Sequence, residues 1–347
     1  MKELFAKRLK SARVRAGMSQ DELVHRMDNI VSKNSISKYE KAEMLPDSKV
    51  LVALAKALDV KTDYFFREFK VEIENIEFRK KRLGVKKVNA IKEKVIDNVE
   101  RYLELEQFLG LTSTFENPIV SLKINSKNDV ENAVNHLLEG WKIGYNALPN
   151  VIDLLEDKHI KVIEIDAPAE FDGFSGWADG TFPVIVLNQN YGLERKRFTA
   201  LHELGHLVLQ FDSGIEHKVI EKMCHQFAGA MLMPEKTFKR EFGGKRSSLS
   251  LNELISIKEE YGISIQAIMA RAKDFEFISE NRYRSFRIYI SKNREEKDLG
   301  QYIGRESSHR FKQLLYRAAS EEIISMSKAA NLSNQKLAAF RKELIAI

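Results

Sequence analysis

The motif HELGH at residues 202–206 places two histidines four positions apart, with a glutamate between them. On an α-helix this spacing puts both imidazoles on one face, so that they can reach a single metal ion. A metal ion lowers the pKa of a bound water, and the carboxylate of Glu203 lies where it can take the released proton. The motif therefore predicts metal-assisted hydrolysis, with a peptide carbonyl as the group attacked.

The motif needs a helix to have this geometry, and the surrounding string RFTALHELGHLVLQF predicts one without an interrupting proline. The apolar residues at helical spacing are Phe198, Leu201, Leu204 and Val208. Their character favours a largely buried helix over a solvated one that carries two surface histidines. Gly205 lowers the helix propensity, but it leaves room for a substrate or a strand to come close.

A third metal ligand is expected in the next predicted helix, residues 217–234. Glu221 and His225 are four apart and share one face of this helix, and Pro234 ends it. Glu221 is the predicted third ligand, whereas His225 either replaces it or holds a ligand in place from outside. Cys224 is expected to be a small buried residue on another face. The apolar face that should enter the core consists of Met223, Phe227, Ala230 and Met231.

Together, the strings RFTALHELGH, ExxCHQFA and LMP resemble the ImmA/IrrE-type metallopeptidases over about residues 135–280. The resemblance implies a gluzincin-like site similar to that of thermolysin-like peptidases, with Glu203 as the catalytic base. The Zn²⁺ ligands that it implies are His202, His206 and Glu221. Family members usually carry Asn or Asp at the position of His225, so the choice between Glu221 and His225 stays open.

The bulk composition is that of a globular protein, since 44% of the 347 residues are apolar and 31% are charged. A chain of this length has room for two or three hydrophobic cores. The single cysteine excludes an internal disulfide and favours a reducing compartment. No run of 18 apolar residues and no signal-peptide core is present, so we expect a cytoplasmic protein that does not contact a membrane.

The net charge of +6 is unevenly distributed along the chain. Residues 1–70 carry 15 Lys and Arg against 10 Asp and Glu, whereas residues 281–347 carry 14 against 7. The middle of the chain is therefore acidic. Basic ends suit an acidic partner such as double-stranded DNA, although uneven surface charge is also common without one.

Residues 1–70 predict five short helices that form a compact domain. Ser19 is an N-cap with Glu22 as its capping-box partner, and Asp47 caps a later helix. The strings GMSQDELVHRM, NSISKYEKAEMLPD and LVALAKALDV resemble the Xre-type helix-turn-helix, the class of the lambda repressor, over residues 4–67. The resemblance implies that the third helix enters the major groove of DNA.

Polar residues of this domain are candidates for contact with DNA. Those on the third helix, which can reach base edges or phosphates, are Lys33, Asn34, Ser35, Ser37 and Lys38. Gln20 begins the second helix and can bind a phosphate through its amide. Ile36 and Tyr39 are predicted to point into the core. A solvated polar face without a partner is the alternative for the whole group.

Residues 71–127 are predicted to be a helical connector. It begins with the basic string IEFRKKRL at 76–83 and continues as one long amphipathic helix. The apolar stripe of this helix consists of Ile91, Val95, Val99, Leu103 and Leu105. Packing of the stripe against the chain itself is favoured over a homodimer seam. The turn-rich break around Pro118 is the predicted boundary to the next domain.

Residues 128–280 are the predicted metallopeptidase domain, in which a small sheet precedes the metal-binding helix. The predicted strands are residues 160–165 and 182–187. The string FDGFSGWADG at residues 171–180 is predicted to be a turn. An edge strand can pair with an extended substrate, and residues 174–178 or 183–187 are the candidates. The chain is thus expected to be α+β and mostly helical, with a thermolysin-like minimal zincin domain.

Residues 281–347 are predicted to form a basic C-terminal helical domain. The string ISMSKAANLSNQKLAAFRKEL has the shape of a second helix-turn-helix, with Ser327 as a helix cap. A similar tail follows the peptidase domain in longer chains that resemble the Xre and ImmA/IrrE families. DNA contact, dimerisation and packing over the active site are three open roles for this tail.

These features predict a DNA-binding regulator fused to a zinc endopeptidase. The resemblance implies a protein substrate, often a repressor, in stress-response or toxin–antitoxin settings. The alternatives are a non-catalytic transcription factor that senses a ligand or partner, and an antitoxin. Glu203 favours the enzyme, because a pure sensor has no need of a general base. A second group for the oxyanion is not identified, and its candidates are Tyr191, His217 and His225.

Overall fold

The computed structural model describes residues 1–68, 71–74, 84–111 and 114–345, and the basic string at 76–83 lies outside these ranges. The chain divides into two compact units. Unit 1 consists of residues 1–113, 177–181 and 309–347, and unit 2 of residues 114–176 and 182–308. Among the described residues, no helix is both long and apolar enough to cross a membrane.

Unit 1 begins with a small helical domain. Its elements are α1 (Lys2–Arg15), α2 (Gln20–Arg26), α3 (Lys33–Glu40), α4 (Ser48–Leu58) and a 3-10 helix (Thr62–Phe66). The capping box of Ser19 and Glu22 is formed, and Asp47 caps α4. Ile36 and Tyr39 are buried in the shared core. The last element is a short 3-10 helix, where the sequence predicts a fifth α-helix.

A short strand and a long helix follow in unit 1, namely β1 (Ile73–Glu74) and α5 (Val85–Phe108). Ile73 of β1 pairs antiparallel with Ala178, which also belongs to unit 1. The predicted apolar stripe of the connector is buried on α5, which packs against α1. The stripe is therefore occupied by its own chain rather than left open as a dimer seam.

Unit 2 contains the predicted metal-binding motif. Its first elements are β2 (Lys123–Ile124), α6 (Lys127–Trp141), α7 (Val151–Asp157), β3 (Lys161–Ile165), β4 (Gly173–Ala178), β5 (Phe182–Asn188) and α8 (Leu193–Val208). The remaining elements are β6 (Gln210–Phe211), α9 (His217–Leu232), α10 (Glu235–Phe242), α11 (Leu251–Tyr261), α12 (Ile265–Asp274) and α13 (Glu280–Ile290). Helices α8 and α9 pack against each other, and α6 packs against α9.

The three strands before α8 are neighbours in the order β4-β5-β3. β3 and β5 are parallel, with Lys161 opposite Val184 and Ile165 opposite Asn188. Because β5 has a neighbour on each side, residues 183–187 are excluded as an edge that receives a substrate. The other candidate, residues 174–178, lies on β4.

The predicted turn at residues 171–180 is wrong for most of its length, because Gly173–Ala178 is strand β4. Phe174 and Ser175 are buried there, and their burial favours a strand over a solvated turn. Gly173 allows the strand to lie close to β5, since a Cβ at this position would be 2.6 Å from the carbonyl oxygen of Val186. The turn itself is confined to the end of this string, where Asp179 and Gly180 have positive φ.

The C-terminal helices α14 (Arg310–Ser320), α15 (Met326–Leu332) and α16 (Leu337–Glu343) return to unit 1. They form a second core with Tyr102 and Leu105 of α5. The cap of α15 is Ser325 rather than the predicted Ser327, because the Ser325 side chain accepts a hydrogen bond from the amide of Lys328. The basic C-terminal segment is thereby divided, with α13 in unit 2 and α14–α16 in unit 1.

Arginines of unit 1 converge on two buried carboxylates of α5. They are Arg8, Arg15, Arg67 and Arg101. Glu100 accepts from Arg8 at 2.5 Å and from Arg67 at 2.7 Å. Asp97 accepts from Arg67 and from the remaining two. Burial opposes the ionisation of Asp97, but the charges of the three arginines outweigh it and lower its pKa to about 2.

Asp97→Asn is expected to destabilise unit 1 by about 3 kcal/mol, because three partly buried guanidinium groups lose the charge of a buried carboxylate that they share. Asp97 stays ionised in the folded chain down to a pKa of about 2, against 3.8 for an unperturbed aspartate. The contribution of ionised Asp97 to the free energy of unfolding is therefore complete above about pH 4 and is lost as the pH falls through 2. Urea titrations of the full chain, followed by circular dichroism at several pH values, measure both effects.

Asp21→Asn is the matched control. Asp21 pairs with Lys33, and more than half of each side chain is exposed, so the loss should stay below about 1 kcal/mol. Similar losses for the two variants, or a loss at Asp97 that does not change with pH, would contradict the role given to the arginine network.

Candidate metal centre

The HELGH motif lies on the buried part of helix α8. His202 and Glu203 are buried, whereas His206 is partly exposed. The Nε2 atoms of His202 and His206 lie 3.2 Å apart, because the two residues are one helical turn apart on the same face. This distance brings both imidazoles to one point beside Glu203.

Helix α9 brings a carboxylate to the histidine pair. Glu221 Oε1 lies 3.1 Å from Nε2 of His206, and Oε2 lies 3.8 Å from Nε2 of His202. Ligand atoms at about 2.0–2.1 Å from a tetrahedral zinc ion are roughly 3.3 Å from one another. The three ligand atoms therefore have the spacing that a shared zinc ion requires, and two imidazoles with a carboxylate fit the chemistry of that metal.

His225 lies one turn after Glu221 and gives a second ligand set. The ligand atoms of His202, Glu221 and His225 all lie within 4.8 Å of one another. The ring of His225 is 4.3 Å from that of His202, and its Nδ1 donates to the Glu221 carbonyl at 2.6 Å. Nε2 of His225 is then the atom that can accept a metal. Glu221 and His202 belong to both sets, so the sets differ in His206 and His225.

Gly205 sets how closely α8 and α9 approach. A Cβ at this position would lie 3.2 Å from a ring carbon of Phe227 and 3.4 Å from the Cβ and Sγ of Cys224. The room that Gly205 leaves is therefore taken by α9, and not by a substrate or a strand as the sequence analysis expected. The physical reason is that the candidate metal ligands come from two helices, whose backbones must lie close together.

Cys224 is completely buried, as predicted, but it also contacts the metal-binding residues. Burial by itself would lower the pKa of His206, but hydrogen bonds with the Cys224 thiol and with Glu221 raise it to about 10. Burial likewise raises the pKa of the Cys224 thiol. The thiol therefore stays neutral near pH 7 and supports the imidazole of His206.

Ser175 holds the carboxylate of Glu203. The Ser175 hydroxyl, on β4, donates a hydrogen bond of 2.9 Å to Oε2 of Glu203, and both side chains are buried. The sequence analysis missed this residue. No local pattern could have revealed it, because the contact depends on how β4 lies beside α8.

Arg197 fixes the first half of α8 and was also missed. Its guanidinium group is fully buried, forms an ion pair with Glu306 and donates to the carbonyls of Leu148 and Tyr261. Glu306 in turn accepts from two backbone N–H groups at the start of α7. The pair therefore joins α8, α7 and the segment after α13 through an ion pair and its hydrogen bonds to the backbone.

The oxyanion candidates differ in their surroundings. The Tyr191 hydroxyl donates to the carbonyl of Ala169 at 2.6 Å, so it would have to leave this partner to serve an oxyanion. His217 is the exposed first residue of α9. His225 is the candidate that lies beside the ligand residues, through its ring contact with His202.

The DNA-contact candidates lie in unit 1. On α3, the exposed residues are Lys33, Asn34 and Lys38, and the half-exposed ones are Ser35 and Ser37. The Ser35 hydroxyl is 3.1 Å from that of Ser32, the N-cap of the helix. The amide nitrogen of Gln20 donates to Glu40 at 2.8 Å, so a phosphate contact through this nitrogen would require it to leave Glu40.

Comparison with known protein families gives two matches. Residues 9–65 match the helix-turn-helix family, and residues 155–273 match the family described as IrrE N-terminal-like domain. The first match contains α3, and the second contains α8 and α9. The chain therefore carries an Xre-type helix-turn-helix segment and an IrrE-like metallopeptidase domain, which confirms both resemblances.

A curated relative is the radiation response metalloprotease IrrE of Deinococcus radiodurans. It is 38% identical to this chain over a match that covers 17% of this chain and 23% of the relative. The match thus spans less than a quarter of the length of that protein.

We expect Glu221→Ala to abolish metal binding, because Glu221 belongs to both ligand sets. His206→Ala should also lose the metal, whereas His225→Ala should retain it, because Nε2 of His206 lies 3.1 Å from Oε1 of Glu221 and 3.2 Å from Nε2 of His202. Elemental analysis of the purified full-length variants gives the metal content per chain, with one ion expected in the wild type.

His136→Ala is a matched control for His225→Ala. His136 is exposed, and its Nδ1 lies 2.8 Å from the carbonyl oxygen four residues earlier, as for His225. Retention of metal by Glu221→Ala would refute the assignment of Glu221. Loss of metal from His225→Ala but not from His206→Ala would show that His225 is the ligand.

Proposed function

We propose that this chain is a DNA-binding transcriptional regulator that carries a zinc-dependent endopeptidase. The observation that carries the proposal is the meeting of α8 and α9, which sets two imidazoles and a carboxylate within 3.1–3.8 Å of one another. The buried Glu203 lies next to His202 in the same motif. The matches to the helix-turn-helix and IrrE-like families support the two halves of the proposal.

Zinc is the metal that we assign to the site. His202, His206 and Glu221 would bind it, and three protein ligands of these types are what catalytic zinc sites use. When bound, zinc would lower the pKa of a water molecule and polarise the scissile carbonyl. The Cys224 thiol hydrogen-bonds to His206 and so restricts the orientation of its ring.

Glu203 is the proposed general base. Its carboxylate takes a proton from the attacking water and then gives this proton to the amine of the leaving fragment. The hydrogen bond from Ser175 holds Oε2 and so sets the direction in which the carboxylate faces. Burial of both side chains limits the number of orientations that the base can adopt, which favours proton transfer along one path.

The proposed substrate is a protein, and a repressor is the first candidate. An extended segment of such a protein would pair with the backbone of β4, on the strand that carries Ser175. β5 lies between β3 and β4, whereas β1 pairs with β4 at Trp177 and Ala178, so the segment would pair with the part of β4 before Trp177. The reaction would then change gene expression by removing an intact partner protein.

Unit 1 would bind double-stranded DNA through α3, with Lys33, Asn34 and Lys38 as exposed contacts. A cytoplasmic location is proposed because this segment has to reach DNA. The domain organisation proposed from the sequence divides the chain at residues 70, 127 and 280. The stripe of α5 is packed within unit 1, so a homodimer would have to use another surface of the chain.

Glu203→Gln should retain zinc and reduce peptide hydrolysis by at least about a hundredfold, because the amide cannot accept the proton of the attacking water. The measurement combines elemental analysis with cleavage of a repressor from a neighbouring gene, followed on a gel. Glu216→Gln, at the N-cap of α9, controls for the loss of a carboxylate.

A wild type that binds zinc but cleaves no protein would instead favour the non-catalytic regulator. Unchanged cleavage by Glu203→Gln would remove Glu203 from the mechanism while leaving the metal site intact.

Lys38→Ala is expected to weaken binding of the full chain to duplex DNA by ~1–3 kcal/mol if Lys38 reads a base. If it contacts a phosphate, the loss should be the same for all sequences, and the slope of log affinity against log salt should fall by about one. Fluorescence anisotropy at several salt concentrations separates these outcomes. Lys56→Ala, an exposed lysine on α4, should bind DNA like the wild type; no binding by the wild type at low salt would contradict the DNA-binding role.

A further inference from the structure

Unit 1 contains a cavity of about 840 Å³ that the proposed function does not use. Its walls come from the C-terminal end of α1, from the 3-10 helix, from α5 and from α15. Ligand pockets of proteins have volumes of about 300–1,000 Å³, so this cavity is large enough for a small molecule. It lies where the DNA-binding helices, the connector helix and the C-terminal helices meet.

Aromatic rings form part of the cavity wall. Tyr64 is nearly buried, whereas 38% of Phe66 and 44% of Phe108 remain exposed to solvent. Phe66 also lies against Phe5, with ring centroids 5.9 Å apart, so it is attached to the core on one side. Exposed rings that line a cavity offer flat apolar surfaces, and the stacking of a nucleobase on such a ring is worth about 1–3 kcal/mol.

Basic residues form the rest of the wall, together with several carboxylates. The basic residues are Arg15, Lys61, Arg67, Arg101 and Lys328, and the acidic ones are Asp63, Glu68, Asp97 and Glu104. Lys328 is paired with Glu104 at 2.6 Å, and Asp63 accepts a hydrogen bond from Asn331. Three of the arginines pair with Asp97, and Arg67 also pairs with Glu100, which binds Arg8. Four guanidinium groups therefore face two carboxylates in this cluster.

Some polar atoms of the cavity wall have no hydrogen-bond partner. Within the described part of the chain, Nε of Arg67 and Oε2 of Glu104 are buried without a hydrogen-bond partner. Burial also lowers the pKa of Lys61, although the nearby charge of Asp63 acts in the opposite direction. An anionic group in the cavity would oppose this effect of burial on Lys61 and would balance the charge of the arginines.

We propose that this cavity is a binding site for a nucleoside phosphate. The phosphate would lie near Lys61 and Arg15, and the base would stack on Phe108, the more exposed of the two rings. The ligand would contact α1, the 3-10 helix, α5 and α15 together. It would therefore join the DNA-binding helices to the C-terminal helices and could change the DNA affinity of the chain.

Isothermal titration of the full chain with AMP tests this proposal, because AMP carries both the base and the phosphate. We expect saturable binding with a dissociation constant below 1 mM, and binding at least tenfold weaker for adenosine and for inorganic phosphate. Phe108→Ala and Lys61→Gln should each weaken AMP binding at least tenfold. Both side chains are outside the buried cores, so the variants should fold, which circular dichroism verifies.

The matched controls are Ile30→Ala and Lys56→Gln, an exposed apolar residue and an exposed lysine of unit 1 that do not line the cavity. Both should bind AMP like the wild type. Absence of binding at 1 mM AMP, or equal binding by Phe108→Ala, Lys61→Gln and the controls, would overturn the proposal. Inorganic phosphate binding as tightly as AMP would overturn the role of the aromatic rings.

Discussion

The close approach of α8 and α9 at Gly205 is the constraint on which the metal-binding geometry depends. A side chain at this position would meet Phe227 and Cys224 at 3.2–3.4 Å, so these neighbours on α9 would have to shift by a few tenths of an ångström. Glu221 lies one turn before Cys224 on the same helix, so its carboxylate would move away from the histidines. A shared metal ion would tolerate changes of only a few tenths of an ångström in the distances of 3.1–3.8 Å between Glu221 and the histidines. Gly205 therefore affects the candidate metal site through the packing of the two helices.

Around this helix pair, the structure places polar groups that hold the reactive ones in position. Ser175 contacts Glu203 from the sheet, Cys224 contacts His206 from α9, and Arg197 with Glu306 holds the first half of α8. Each of these supporting groups is buried. Buried groups that hydrogen-bond to one another restrict side-chain orientation more strongly than exposed ones, so these contacts hold Glu203 and His206 in position.

In unit 1, buried carboxylates of one helix hold neighbouring segments together through ion pairs. Helix α5 packs its apolar stripe within the unit, and its carboxylates Asp97 and Glu100 bind arginines from α1 and from the residue after the 3-10 helix. The C-terminal helices α14–α16 pack on the end of α5. The helix thereby links the helix-turn-helix segment to the C-terminal segment, which explains why residues separated by more than 200 positions line one cavity.

The sequence by itself determined the local features, because these depend on neighbours along the chain. The capping of α2 and α4, the buried stripe of α5 and the two histidines on one face of α8 follow from spacing and residue type. Only the tertiary structure decided which segments meet. Residues Gly173–Ala178 form strand β4, where the sequence predicts a turn. Helix α9 occupies the space beside Gly205, and Ser175 donates a hydrogen bond to Glu203. These contacts join residues that are distant along the chain, and no local periodicity encodes them.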